Sequence, residues 1–138
     1  MLNLKVKPDE CCGCRICEMA CSMIHLGMFN PRKALLRVEI NRSLRSGPET
    51  SQIDVAIVCL QCKPAPCAEA CPEGAIEKGE SGAWVVDKGK CTGCGLCVDV
   101  CLHGMISVDS DQKVARKCDL CQGSPVCVRY CPMEALAF

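Results

Sequence analysis

The 138-residue chain is poor in the side chains that ordinarily fill a protein interior, since its only aromatics are Trp84, Tyr130, Phe29 and Phe138. Cores normally lean on such large groups, so something other than side-chain volume must occupy this one. Net charge is missing too: 16 Lys and Arg balance 16 Asp and Glu, which removes the electrostatic case for nucleic acid or an anionic membrane. No apolar run approaches the length of a membrane span. Met1 to Glu10 lacks the apolar stretch of a secretory leader, so a cytoplasmic location is expected. Catalytic constellations are lacking as well. There is no paired-carboxylate motif, no glycine-rich phosphate loop after a strand, and no Cys-x3-Cys-x2-Cys spacing. Nothing points to substrate chemistry.

What the chain has is cysteine, 17 of its 138 residues. In a reducing compartment such clustering favours metal over disulfides. The spacing is specific. Cys91-x2-Cys94-x2-Cys97-x3-Cys101 is the ligand run of a bacterial-type iron–sulfur ferredoxin. A Cys-x2-Cys-x2-Cys loop can curl three thiolates onto one face of a cubane, while the following short helix carries the fourth toward another cluster. The same run stands at Cys11, Cys14, Cys17 and Cys21. Two more have a stretched third spacing: Cys59, Cys62, Cys67, Cys71 and Cys118, Cys121, Cys127, Cys131. Zinc also uses paired Cys-x2-Cys units, but it has no use for further thiolates at +6 and +10, so iron–sulfur is the stronger reading.

Between the runs the pattern is short helix, then hairpin. Strands are expected at Leu2 to Lys5, Leu35 to Ile40, Ile53 to Val58, Ala83 to Val86, Met105 to Val108 and Val114 to Arg116. Helix is expected from the first run as far as Gly27, and Asn41 to Pro48 reads as a polar, basic loop. The repeat of run, helix and hairpin gives an α+β fold of two ferredoxin-like dicluster modules, with small helices and β-hairpins around the clusters.

In such a module the fourth cysteine of each run ligates the other run's cluster. Only 19 residues join runs two and three, which makes them a natural inner module, residues 59–101. Runs one and four then form the outer module, 1–58 plus 102–138, closed by the Leu2 to Lys5 strand beside Ala135 to Phe138. Spacing alone leaves a rival pairing of runs three and four; the nested arrangement is the one expected here. It assigns Cys11, Cys14, Cys17 and Cys131 to one cluster, and Cys118, Cys121, Cys127 and Cys21 to its neighbour. Cys59, Cys62, Cys67 and Cys101 hold a third, and Cys71, Cys91, Cys94 and Cys97 a fourth. Cys12 is left over and reads as a small, partly buried side chain. Each oxidised cubane with four thiolates carries about −2, so the loaded protein sits near −8.

The four runs, with the widened spacings in runs two and four, resemble the iron–sulfur subunits of molybdenum and tungsten oxidoreductases, of the dimethyl sulfoxide reductase and formate dehydrogenase type. Cys21-Ser-Met-Ile-His25-Leu-Gly-Met-Phe29-Asn-Pro31 followed by Leu36-Arg-Val38 is similar to short members accompanying tungsten aldehyde oxidoreductase or benzoyl-CoA reductase. The resemblance implies nested runs and four [4Fe–4S] clusters in a non-catalytic electron-transfer subunit. It also implies a large tungsten- or molybdenum-pterin catalytic partner, with a further flavin or ferredoxin redox partner. A freestanding polyferredoxin and a zinc-stabilised interaction module are the alternatives. Cys21 is followed by Ser22 and Cys101 by Leu102, where ferredoxin runs end Cys-Pro. His25 and His103 read as ordinary polar residues beside the clusters. Arg32, Lys33, Arg37, Arg42 and Arg45 read equally as a docking rim or a solvated loop.

Overall fold

The computed structural model describes residues 2–40 and 54–138. The expected loop from Asn41 to Pro48, with Arg42 and Arg45, and the first residue of the strand expected at Ile53 lie outside the described residues. In chain order the elements are β1 (Lys5–Val6), α1 (Ile16–Leu26), β2 (Arg37–Ile40), β3 (Asp54–Ile57) and α2 (Pro66–Glu69). There follow β4 (Ile76–Lys78), β5 (Trp84–Val86), α3 (Leu96–Asp99), β6 (Ile106–Val108), β7 (Ala115–Lys117), α4 (Val126–Arg129) and β8 (Leu136–Ala137). This is a small mixed helix-and-strand fold of two-stranded antiparallel ribbons, compatible with the ferredoxin-like class.

The chain separates into two compact units, residues 1–3 with 59–124, and residues 4–58 with 125–138. The division falls after Ser124, not at the expected 101/102 boundary. The reason is packing: β6 lies against α3 and β7 against β5, so the β6–β7 hairpin belongs with residues 59–101. Sequence distance cannot reveal which neighbour a hairpin's apolar face will choose.

In the 4–58/125–138 unit, β1 pairs with β8, Lys5 opposite Ala137 and Val6 opposite Leu136. The strand expected at Leu2 to Lys5 thus begins three residues later but finds its expected C-terminal partner. β2 and β3 form a second ribbon, and α1 packs on α4. Buried residues include Leu36, Val38, Ala56, Val58 and Leu136 with Cys17, Cys21 and Cys127. Helix α1 stops where expected, at Gly27 (φ 68°), whose N–H bonds the Met23 carbonyl. The helix runs on past Cys21, and the buried Ser22 hydroxyl donates to Met19 O at 3.0 Å while accepting the Asn30 N–H at 3.0 Å.

In the 59–124 unit the ribbons β4–β5 and β6–β7 are joined by α2 and α3. Its core cluster is Ile76, Cys97, Ile106 and Ala115, with Cys67, Cys71, Cys91, Cys101, Trp84, Val86 and Val98 packed around it. Cysteine takes the place that large hydrophobes usually hold, as the scarcity of aromatics requires.

Candidate metal centre

The loops carrying the first cysteines curl because residues beside the second cysteine adopt left-handed backbone. In runs one and three these are Gly13 and Arg15, and Gly93 and Gly95. In runs two and four non-glycine residues do the same: Gln61 (φ 50°), and Leu120, Cys121 and Gln122. Left-handed backbone costs a residue with a Cβ about 1–2 kcal/mol. At Gln61 the side chain compensates: its Nε2 donates to Cys118 O at 2.8 Å and its Oε1 accepts the Trp84 N–H at 2.8 Å.

Three cavities open onto these loops. One is lined by Cys59, Cys62, Cys67 and Cys101, together with Trp84, His103 and Lys117. A second is lined by Cys71, Cys91, Cys94 and Cys97, beside Glu73 and Ala115. The third, in the other unit, is lined by Cys11, Cys14, Cys17 and Cys131, with Cys12, Arg15, Val38 and Leu136. Each brings three cysteines of one run to a fourth from another run. Of the remaining set, Cys118 and Cys121 belong to the 59–124 unit and Cys21 and Cys127 to the other. Cys12 lines the third cavity's wall and is exposed rather than partly buried.

The fourth cysteines share a second feature. Cys71, Cys101 and Cys131 each accept a backbone N–H from four residues on: Ala75 at 3.3 Å, Met105 at 3.4 Å and Ala135 at 3.3 Å. The turn that follows α2, α3 and α4 supplies the geometry. Cys21 lies inside α1, where that N–H is spent on the helix, and its sulfur takes the Leu35 N–H at 3.3 Å instead. Leu102, 93% exposed, shows that the turn after Cys101 forms without proline.

The donor set fits a sulfur-ligated cluster better than a single ion. Tetrahedral zinc at about 2.3 Å from each sulfur needs sulfurs about 3.8 Å apart. Among the described residues, no three cysteine sulfurs lie within 4.8 Å of one another. The thiols surround a space instead of a point. Burial pushes the Cys17 thiol up to about 12, with Glu18, Cys14 and Cys131 adding to the effect. Burial likewise raises Cys14, Cys67 and Cys97; Lys117 opposes the rise at Cys67. These sites hold thiolates only when a cation repays their desolvation.

Sequence reasoning missed Lys117 and Glu18 as members of the site's surroundings. Lys117 lies just past the expected strand end at Arg116, and Glu18 is the one acid on α1. Of the expected basic rim, Arg32 and Arg37 are exposed and Lys33 half-buried, and Arg37 pairs with Glu39 at 3.1 Å. Among the described residues, no helix is long and apolar enough to cross a membrane.

Residues 58–105 match a family described as the 4Fe-4S dicluster domain. A polyferredoxin-like subunit of aliphatic sulfonate oxidoreductase from Pyrococcus furiosus is 39% identical, over 91% of this chain and 69% of its own length. The putative electron transport protein YsaA of Escherichia coli is 36% identical, over 92% of this chain and 82% of its own. The electron transport protein HydN of the same organism is 33% identical, over 93% and 82%. In fold, the chain is similar to one in the active-site complex BamBC of benzoyl coenzyme A reductase, with a TM-score of 0.51 and 24% identity over 97% of this chain and 76% of that one. The cysteine-lined cavities and these relatives lead to one conclusion: the chain belongs to the family of [4Fe–4S] dicluster-domain iron–sulfur electron-transport proteins.

Proposed function

We propose that the chain carries four [4Fe–4S] clusters and passes single electrons to or from a separate tungsten- or molybdenum-containing catalytic subunit. The observation that carries this reading is the composition of the three cavities, each walled by four run cysteines drawn from two runs, with Cys12 as a fifth in the third. The fourth set, Cys118, Cys121, Cys127 and Cys21, rests on sequence spacing. Each cluster supplies a reversible one-electron change. The protein's part is to hold thiolates, direct N–H groups at their sulfurs, limit water and set local charge. Two ferredoxin-like modules, one inserted in the other, and a cytoplasmic setting complete the proposal.

A subunit is favoured over a freestanding polyferredoxin by a groove in the 4–58/125–138 unit. Ile16, Met19, Ala20, Met23, Ile24 and Phe29 line it with Val126, Arg129 and Tyr130. Ile24 is 60% and Phe29 70% exposed. The same two helices carry buried Cys17, Cys21 and Cys127, so a partner seated here lies against the helices that hold cluster ligands. The matching face of α2 and α3 in the other unit bears Glu69 and Asp99, both exposed. The only acid on α1 and α4, Glu18, is buried. An apolar groove with a basic edge suits a catalytic subunit presenting apolar side chains among carboxylates.

Untagged, anaerobic purification from the native cell tests the reading. About sixteen irons per chain and a large co-purifying chain containing tungsten or molybdenum are expected. Full iron in a monomer would leave the freestanding polyferredoxin. A colourless protein, or one with zinc in place of iron, would end the electron-transfer proposal.

A further inference from the structure

Strand β7 keeps the inside–outside alternation but puts a lysine at an inward position. Successive strand residues face opposite ways, and buried Ala115 and Lys117 flank a half-buried Arg116 that pairs with Asp109 at 3.7 Å. Ala115 lines the cavity of Cys71, Cys91, Cys94 and Cys97, and its N–H reaches Cys91 Sγ at 3.3 Å. Lys117, only 6% exposed, lines the cavity of Cys59, Cys62, Cys67 and Cys101. A lysine is almost never buried without a compensating partner. Its ammonium donates to two neutral carbonyls, Trp84 O at 2.9 Å and Cys118 O at 3.3 Å. Among the described residues no carboxylate lines this cavity, whose other ionisable groups are its cysteines and His103. The counter-charge for Lys117 is therefore the thiolate-held cluster itself.

The neighbouring cavity has the opposite sign, with Glu73 and, among the described residues, no basic side chain on its wall. We propose that Lys117 sets the potential of the Cys59/Cys62/Cys67/Cys101 cluster above that of the Cys71/Cys91/Cys94/Cys97 cluster, making it the electron-holding site of the 59–124 unit. This rests on the iron–sulfur reading above. When one electron arrives from an external low-potential donor, the site gains one negative charge and no bond is made or broken. A buried cation stabilises that product and a carboxylate opposes it. Backbone dipoles work the other way, since the second cavity receives N–H groups at Cys71 and Cys91 and the first at Cys101. A full charge in a low-dielectric wall acts over a longer range than one extra dipole, so Lys117 prevails.

The side chain is held for this role. Gln61 accepts the Trp84 N–H and donates to Cys118 O, fixing both carbonyls that orient the ammonium. Trp84 is anchored in turn by Nε1 donating to Cys62 O at 3.0 Å.

The test is a dithionite titration of the iron-loaded chain, followed by electron paramagnetic resonance. Lys117→Met is expected to make one cluster, the one that Cys62→Ser also perturbs, at least tenfold harder to reduce, about 59 mV for one electron, leaving the transition that Cys71→Ser perturbs in place. Lys117→Arg keeps the charge and is expected to restore the transition to within threefold. Unchanged transitions in a fully loaded Lys117→Met protein would overturn the proposal. Should that variant fail to load, Cys62→Ser and Cys71→Ser in otherwise native chains decide: the transition lost with Cys62→Ser must lie at higher potential than the one lost with Cys71→Ser. The reverse order would overturn the proposal. A native chain without iron would instead defeat the reading on which it rests.

Discussion

The Glu18 carboxylate accepts the Val38 backbone N–H at 2.6 Å, tying the cysteine-bearing face of α1 to the first residues of β2. Both residues are buried. The bond spans 20 positions and also brings the strand up to the cavity of Cys11, Cys14, Cys17 and Cys131, which Val38 lines.

Glu18→Ala is therefore expected to lower stability by about 1–3 kcal/mol, the cost of leaving a buried N–H without its acceptor. Glu18→Gln keeps an acceptor oxygen and is expected to lose less. The denaturant midpoint for bleaching of the visible absorption measures both. Equal effects would place the stabilisation in the charge facing Arg15, 3.8 Å away, and not in the bond to Val38.

Two glycines with nearly the same backbone predict different outcomes. Gly93 has φ +71°, and a Cβ there would land on the Lys113 carbonyl. Gly27 has φ +68° with nothing within 4 Å. Gly27→Ala is expected to cost about 1–2 kcal/mol, the left-handed penalty alone. Gly93→Ala adds a clash with fixed backbone, so loss of the Cys91–Cys94–Cys97 cluster is expected. Iron per chain in the two variants checks the difference.

The proposed crossing of ligands between runs predicts which substitutions share a phenotype. Cys71→Ser and Cys94→Ser should perturb the same resonance, as should Cys101→Ser and Cys62→Ser. If clusters were built within single runs, Cys71→Ser would group with Cys62→Ser instead. Resonance spectra of the four reduced variants separate the schemes.

Removing iron should dismantle the fold, because metal binding is folding energy in such a chain. The core of the 59–124 unit is largely cysteine around Ile76, Ile106 and Ala115, too little apolar volume to stand alone. Circular dichroism after anaerobic chelation is expected to show loss of ordered structure, and an unchanged spectrum would contradict this. The pH sign follows from Cys17. Burial takes its thiol from 9.0 to about 12, so whatever native packing survives around Cys17 without iron holds a proton there that the unfolded chain releases. Its contribution is intact below pH 9 and lost as pH rises toward 12. In the loaded protein protons compete with iron for the same sulfur, so iron loss to a chelator should quicken as pH falls.

Much of this was legible in the residues because cysteine spacing is a geometric instruction. The runs, the Gly27 stop and the hairpins follow from local pattern, and the pairing of the N-terminal strand with the C-terminus follows from the nested choice of runs. Other features depend on contacts the pattern does not encode. The strand expected to end at Arg116 continues to Lys117, because hydropathy gives no sign that a lysine will turn inward. Gln61 sits where a glycine would be expected, and only its bonds to Cys118 and Trp84 explain how it is tolerated. The unit boundary moved for a similar reason, the packing of β7 on β5.

The pairing of β1 with β8 and the meeting of Cys11, Cys14 and Cys17 with Cys131 have a consequence in time. A ribosome delivers the first three cysteines early and the fourth almost last. The Cys71/Cys91/Cys94/Cys97 set is complete as soon as Cys97 emerges, and the Cys59/Cys62/Cys67/Cys101 set four residues later. On the proposed cluster assignment the N-terminal loop must wait, its thiols open to oxidation, until the tail arrives, and order of synthesis becomes order of assembly, from the middle of the chain outward.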